Sequence, residues 1–98
     1  MHYLLIYHLA PDYLERRGEF REEHLAMAWK ACKSGEMVLG GALQDPADRA
    51  VLLFEGDTPE AAESFAKNDP YVKNSLVEKW EVRPWMTVVG DDAISPVK

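Results

Sequence analysis

Four short runs of β-favouring residues, with two helical segments set between them, constrain this chain more than any other feature. The first run, Tyr3-Leu4-Leu5-Ile6-Tyr7, ends at Ala10-Pro11 and reads as a buried strand. A helical period then runs from Glu19 to Lys33, with Leu25, Ala28, Trp29 and Cys32 at i, i+3, i+4 and i+7 as the expected core stripe. Pro11 to Gly18 breaks the pattern and is expected to be a loop or a frayed helical entry. Ser34-Gly35 supplies the stop, with Gly35 as a left-handed cap.

Met37 to Leu43 is the second strand, and its Gly40-Gly41 pair suggests a bulge or a close approach by another group. Asp45-Pro46-Ala47-Asp48 is turn chemistry, so Arg49 to Glu55 returns as the third strand of a hairpin. Asp57-Thr58-Pro59-Glu60 starts the second helix with capping residues, a first-turn proline and an early acid. Its apolar stripe is Ala61, Ala62, Phe65 and Ala66. The helix ends near Asn68-Asp69, because Pro70 forces the residue before it into extended backbone. Val77 to Met86 alternates as the last strand, Trp80 and Val82 on one face and Lys79, Glu81 and Arg83 on the other.

The order strand, helix, strand, strand, helix, strand is the ferredoxin-like βαββαβ pattern, an α+β fold with a four-stranded antiparallel sheet and two helices on one face. The 98 residues make one domain, with a core over about residues 2–88 and a loose tail over 89–98. In this topology the first and third strands are central, and the helices leave one sheet face open. Leu4-Leu5-Ile6 and Val51-Leu52-Leu53-Phe54 are nevertheless apolar on both faces. A second copy is the economical cover, so a homodimer through the open sheet face is expected.

Formal charge is −6, with 11 basic against 17 acidic residues, which argues against a nucleic-acid surface. No apolar run approaches the roughly 18 residues of a membrane span, and the first residues lack the marks of a signal peptide. Cys32 is the only cysteine and has no internal partner, so the reducing cytoplasm is the simplest compartment.

The candidate site residues are few. His24 lies about a quarter-turn from the Leu25-Ala28-Trp29-Cys32 stripe, aligned with Phe20, Met27 and Ala31. A pocket wall and an inert boundary histidine both fit that position. Asp69 is held extended by Pro70, which aims its carboxylate, though the same residue could simply cap the turn Pro70 to Lys73. Asp45, after the two-glycine strand, has the same ambiguity. His2 and His8 have no neighbours at ligand spacing, so no metal site is expected. No glycine loop matches a nucleotide fingerprint and there is no Gly-x-Ser-x-Gly elbow, so no cofactor is expected. Trp29, Trp80 and Trp85 are expected to serve in core or dimer packing.

Several stretches together resemble a known family. They are Arg21-Glu22-Glu23-His24-Leu25, Gly40-Gly41-Ala42-Leu43-Gln44-Asp45, Thr58-Pro59-Glu60-Ala61-Ala62 with Phe65, Asp69-Pro70-Tyr71-Val72, and Val82-Arg83-Pro84-Trp85. In this order and spacing, the chain is similar to the YCII-related (YciI-like) domain family from Tyr3 to about Trp85. The resemblance implies a ferredoxin-like domain that dimerises in the manner of the dimeric α/β barrels. It also implies a histidine–aspartate pair in a cleft, His24 and Asp69 here, with Asp45, Tyr71 and Gly41 as candidates for contact with an unknown small-molecule ligand. One branch of the family is associated with dehydrochlorination of a chlorinated hydroquinone. This chain departs from the family after Asp-Pro-Tyr, with Asn74-Ser75-Leu76 where Ala-Gly-Leu is usual.

Two readings of function follow. In one, the chain is a cofactor-free enzyme in which Asp69 fixes the His24 tautomer and the other ring nitrogen moves a proton, in an elimination, isomerisation or hydrolysis. In the other, the same cleft binds a ligand without turning it over, or the chain is an accessory subunit.

Overall fold

All four β-favouring runs form strands, and the chain adopts the βαββαβ architecture. The computed structural model describes all 98 residues. The elements are β1 (His2–Leu9), α1 (Tyr13–Lys33), β2 (Met37–Ala42), β3 (Arg49–Glu55), α2 (Glu60–Asn68), α3 (Pro70–Lys73) and β4 (Val77–Trp85). The strands form one antiparallel sheet in the order β2-β3-β1-β4, so β1 and β3 are central.

Strand periodicity divides the two faces. Tyr3, Leu5, Tyr7 and Leu9 of β1 and Ala50, Leu52 and Phe54 of β3 are buried, and they meet Ala62, Phe65 and Ala66 of α2. The register pairs Leu5 with Leu52 and Tyr3 with Phe54 on this face. On the other face Leu4 pairs with Leu53 and Ile6 with Val51, and Leu39 of β2 extends the row beside Leu53 with 72% of its surface exposed. That face is apolar at its centre, and no helix covers it. His8 also belongs to it. Its Nε2 is buried without a hydrogen-bond partner, 3.8 Å from Glu81 Oε1.

Helix α1 differs from expectation at both its start and its face. It begins at Tyr13, which is buried, and runs through Gly18 without interruption. Tertiary anchoring of that first turn outweighs the weak helix preference of one glycine. Most of the expected core stripe does not point into the core: Leu25 is 38% and Trp29 64% exposed. Of the stripe only Ala28 packs against the core, together with Phe20, Met27 and Ala31 from the neighbouring arc. The helix has two apolar arcs, and periodicity alone does not say which one the sheet takes.

Two helices end in the same backbone motif. After α1, Gly35 (φ 85°) is followed by Glu36, whose N–H donates to Ala31 O while Gly35 N–H donates to Cys32 O. After α3, Ser75 (φ 63°) takes the same place: Leu76 N–H donates to Tyr71 O and Ser75 N–H to Val72 O. Both are Schellman closures, one with glycine and one with serine in the left-handed position. Ser75 is the residue that stands where the family resemblance of the sequence implies glycine. The turn keeps the glycine-type conformation without the glycine.

At the start of α2, Thr58 Oγ1 accepts from Glu60 N–H at 3.3 Å. The tail folds back on itself, Ser95 N–H to Thr87 O and Val97 N–H to Val88 O, and Thr87 Oγ1 lies 2.8 Å from His2 Nδ1. It is thus tied at its base. No helix is long and apolar enough to cross a membrane.

Candidate functional site

Asp69 stands at the junction of α2 and α3 because Pro70 ends one helix and begins the next. Its backbone is extended (ψ 124°), and its side chain caps α3 by accepting from Tyr71 N–H at 3.0 Å. The residue is fully buried, 0% exposed. A buried carboxylate needs donors around it. Here the Tyr7 hydroxyl of β1 donates to Oδ2 at 2.7 Å, and His24 Nδ1 lies 2.9 Å from Oδ1 and 3.0 Å from Oδ2.

The contact between His24 and Asp69 therefore exists, and the capping role of Asp69 exists beside it. Both oxygens face Nδ1 as acceptors, so Nδ1 carries the hydrogen and Nε2 is the free nitrogen. Nε2 has no protein partner and is not among the buried unpartnered atoms, so it keeps contact with solvent. The imidazole is clamped on its flat side as well: the Tyr71 ring stacks on it at 3.9 Å between centroids and 10° between planes. Phe65 meets it edge-on at 6.3 Å. Burial pushes the Tyr7 phenol far above its usual titration range, and the charge and hydrogen bond of Asp69 add to the shift. Burial also raises the Tyr71 phenol, helped by neighbouring Tyr13 and opposed by Arg21.

His24 lines a cleft of about 490 Å³ between α1 and the β2–β3 half of the sheet. The helix contributes Tyr13, Arg17, Arg21, His24 and Ala28, which recur at helical spacing on one face. Leu25, Trp29 and Cys32 also belong to this wall, so the apolar stripe expected in the core lines the cleft instead. The opposite wall is β2, including Gly40 and Gly41. A Cβ at Gly40 would meet Met37 Sδ at 3.4 Å and Leu52 Cγ at 3.5 Å, whereas nothing lies within 4 Å at Gly41. The β2–β3 pairing shifts register between Met37 and Leu39, whereas Gly40 and Gly41 pair regularly with Leu52 and Val51, so the bulge lies before the glycine pair and not at it.

Of the residues singled out in the sequence, His24, Tyr71 and Gly41 line the cleft, and Asp69 lies directly behind His24. Asp45 is exposed in the β2–β3 turn (φ 58°) and does not line the cleft; its neighbour Gln44 does. Sequence reasoning did not find Tyr7, Tyr13, Arg17 or Arg21. Tyr7 had one signal, since a tyrosine inside a buried strand needs a partner for its hydroxyl. No group of three or more histidine, cysteine or acidic side chains is placed to hold a metal ion.

The family model of the YCII-related domain matches residues 1–86. The chain belongs to that family. Among solved structures, this YCII-related domain is similar to 5-chloro-2-hydroxyhydroquinone dehydrochlorinase (TftG) from Burkholderia phenoliruptrix, determined in complex with 2,5-dihydroxybenzoquinone. The two share 22% sequence identity with a TM-score of 0.73, over 89% of this chain and 95% of that one. At that identity the likeness concerns the fold, a four-stranded antiparallel sheet with helices on one face. No curated protein matches this chain by sequence.

Proposed function

We propose that this YCII-related domain is an enzyme that moves a proton on a small organic molecule bound between α1 and β2, with His24 as the acid–base group. One observation carries the reading: Nδ1 of His24 is committed to a fully buried carboxylate, while Nε2 is left without a protein partner on a cleft wall. An imidazole held this way has one nitrogen for orientation and one for chemistry.

In an elimination, Nε2 takes a proton from the substrate, the electron pair of that bond forms the new double bond, and the leaving group departs. The imidazolium so formed has its Nδ1–H already directed at Asp69, whose charge stabilises it without reorganisation. In an isomerisation the same proton returns to a different atom. No serine lines the cleft and its one thiol, Cys32, has no hydrogen bond to a base, so elimination and isomerisation suit it better than hydrolysis through a covalent intermediate. The fold neighbour TftG is named for the removal of hydrogen chloride from a chlorinated hydroquinone, and such chemistry needs a base of this kind.

Turnover of chlorinated hydroquinones and of enolisable ring compounds is the test. His24→Ala is expected to lose about 10²–10⁴-fold in kcat while keeping the wild-type amide spectrum. Undiminished turnover in that variant rules the reading out.

A further inference from the structure

Arg17 and Arg21 both line the cleft, and neither has a carboxylate within salt-bridge distance. Their neighbour Arg16, on another face of the same helix, is paired with Asp12 at 3.8 Å. The difference is written into the sequence. On a helix, side chains meet at three and four residues' separation. The positions three and four away from Arg17 and Arg21 hold Tyr13, Leu14, Gly18, Phe20, His24 and Leu25, together with the other arginine. The glutamates of this stretch, Glu15, Glu19, Glu22 and Glu23, all fall outside those positions. Two like charges one turn apart destabilise a helix slightly, and no paired carboxylate offsets that cost here.

The rest of the cleft follows the same rule. None of the chain's 17 acidic residues lines it, although the protein carries a formal charge of −6. A positive mouth on a negative protein focuses the field on small anions. The Arg17 guanidinium lies 5.7 Å from the centroid of the Tyr13 ring, which restrains it over an aromatic surface. Tyr71, whose phenol Arg21 and Arg17 both act on, stacks on the imidazole. The helical wall is thus aromatic around the charges, and the facing wall at Gly41 has open space where a side chain would stand.

We infer that the cleft selects a planar organic anion, an unsaturated or aromatic ring bearing a carboxylate or an ionised hydroxyl, whose charge is held by Arg17 and Arg21. The inference rests on the reading of this cleft as the reaction site and names the class of molecule that enters it. Guanidinium groups suit such ligands because they offer paired donors in a plane and stack on rings.

The test uses 4-hydroxybenzoate and its neutral counterpart 4-hydroxybenzamide as probes, titrated into the ¹⁵N-labelled full chain at neutral pH. The amides of Gly40 and Gly41 report on the cleft. The carboxylate is expected to bind about tenfold more tightly than the amide, and the advantage is expected to shrink as salt rises. In the double variant R17Q/R21Q the two probes are expected to bind alike, with the rest of the amide spectrum unchanged. Equal affinities in the wild type overturn the inference, as does a preference that survives in R17Q/R21Q, or the absence of any saturable shift at Gly40 and Gly41 with either probe. Binding is read without turnover, so a failure here leaves proton transfer at His24 standing, and a fully active His24→Ala leaves the anion preference standing.

Discussion

Tyr7 and Asp69, 62 residues apart in the chain, meet in the interior with the tyrosine hydroxyl 2.7 Å from Oδ2. The phenol is a donor that Asp69 keeps protonated, and the carboxylate is held by a group that cannot follow solvent. Burial of the phenol first, and the charge and hydrogen bond of Asp69 after it, raise the folded-state pKa of Tyr7 above the ordinary value of about 10. The unfolded chain therefore releases that proton first as pH rises, and the folded state becomes the one that binds more protons. The stabilising contribution is complete below about pH 10 and falls above it, by at most about 1.4 kcal/mol per pH unit for this one group. Urea unfolding between neutral pH and pH 11 is expected to show that decline. It is expected to be shallower in Tyr7→Phe, which itself costs about 1 kcal/mol at neutral pH. An identical alkaline slope in the variant would mean that other tyrosines, Tyr71 first among them, carry the effect.

Asp69 has two roles that a substitution can separate. An asparagine in its place would still cap α3, since asparagine is as good a cap as aspartate, but it offers His24 one acceptor oxygen in place of two. Asp69→Asn is expected to fold and to loosen the imidazole, whereas Asp69→Ala is expected to lose about 1–3 kcal/mol of stability through the missing cap and unpaired donors. Long-range ¹H–¹⁵N correlation of the ring nitrogens reads the first effect directly. The wild type is expected to show the Nδ1–H tautomer, and the asparagine variant a mixture.

Ser75 sits at φ 63° and Gly35 at φ 85° in matching helix closures. A left-handed serine carries a steric cost that glycine does not. Ser75→Gly is expected to raise stability by up to about 1 kcal/mol, and Gly35→Ala to lower it by about the same amount. Thermal unfolding of both variants measures this, and a destabilised Ser75→Gly would show that the serine side chain contributes more than its backbone costs.

A second copy packed on the open sheet face remains the expected cover for Leu4, Ile6, Leu39, Val51 and Leu53. The unpartnered Nε2 of His8 on that face is a further group that a second copy would have to accommodate. Sedimentation at micromolar concentration is expected to give twice the 11.1 kDa chain mass, and Leu53→Lys a monomer. A wild-type chain that sediments as a monomer at every concentration would leave the face open to water.

The sequence was most legible where local chemistry and the global fold agreed. Pro70 predicted the α2–α3 break, Gly35 the end of α1, and the short β-favouring runs the four strands, of which only the last alternates visibly in sequence. The faces of α1 were legible only in part. Leu25 and Trp29 have the spacing of core residues because a cleft wall and a core wall share one period, and only the sheet's position separates them. Tyr7 was hidden in an apolar run that holds a second tyrosine, Tyr3, so nothing local marked which hydroxyl meets a carboxylate. The arginines were hidden for a different reason: charged residues on a long helix ordinarily face solvent, and only the absence of acids at their helical neighbours sets them apart.

The two guanidiniums and the imidazole all ride on α1, at Arg17, Arg21 and His24. Their separations along the axis are consequently set by the helical rise of about 1.5 Å per residue, and no flexible loop intervenes. If the proposed anion is held as inferred, moving one arginine by a turn is expected to lengthen or shorten the molecule that fits by about 5 Å while the sheet, the buried carboxylate and the His24 imidazole stay where they are. On that reading, ligand length on this scaffold becomes a ruled quantity, adjustable in steps of one helical turn.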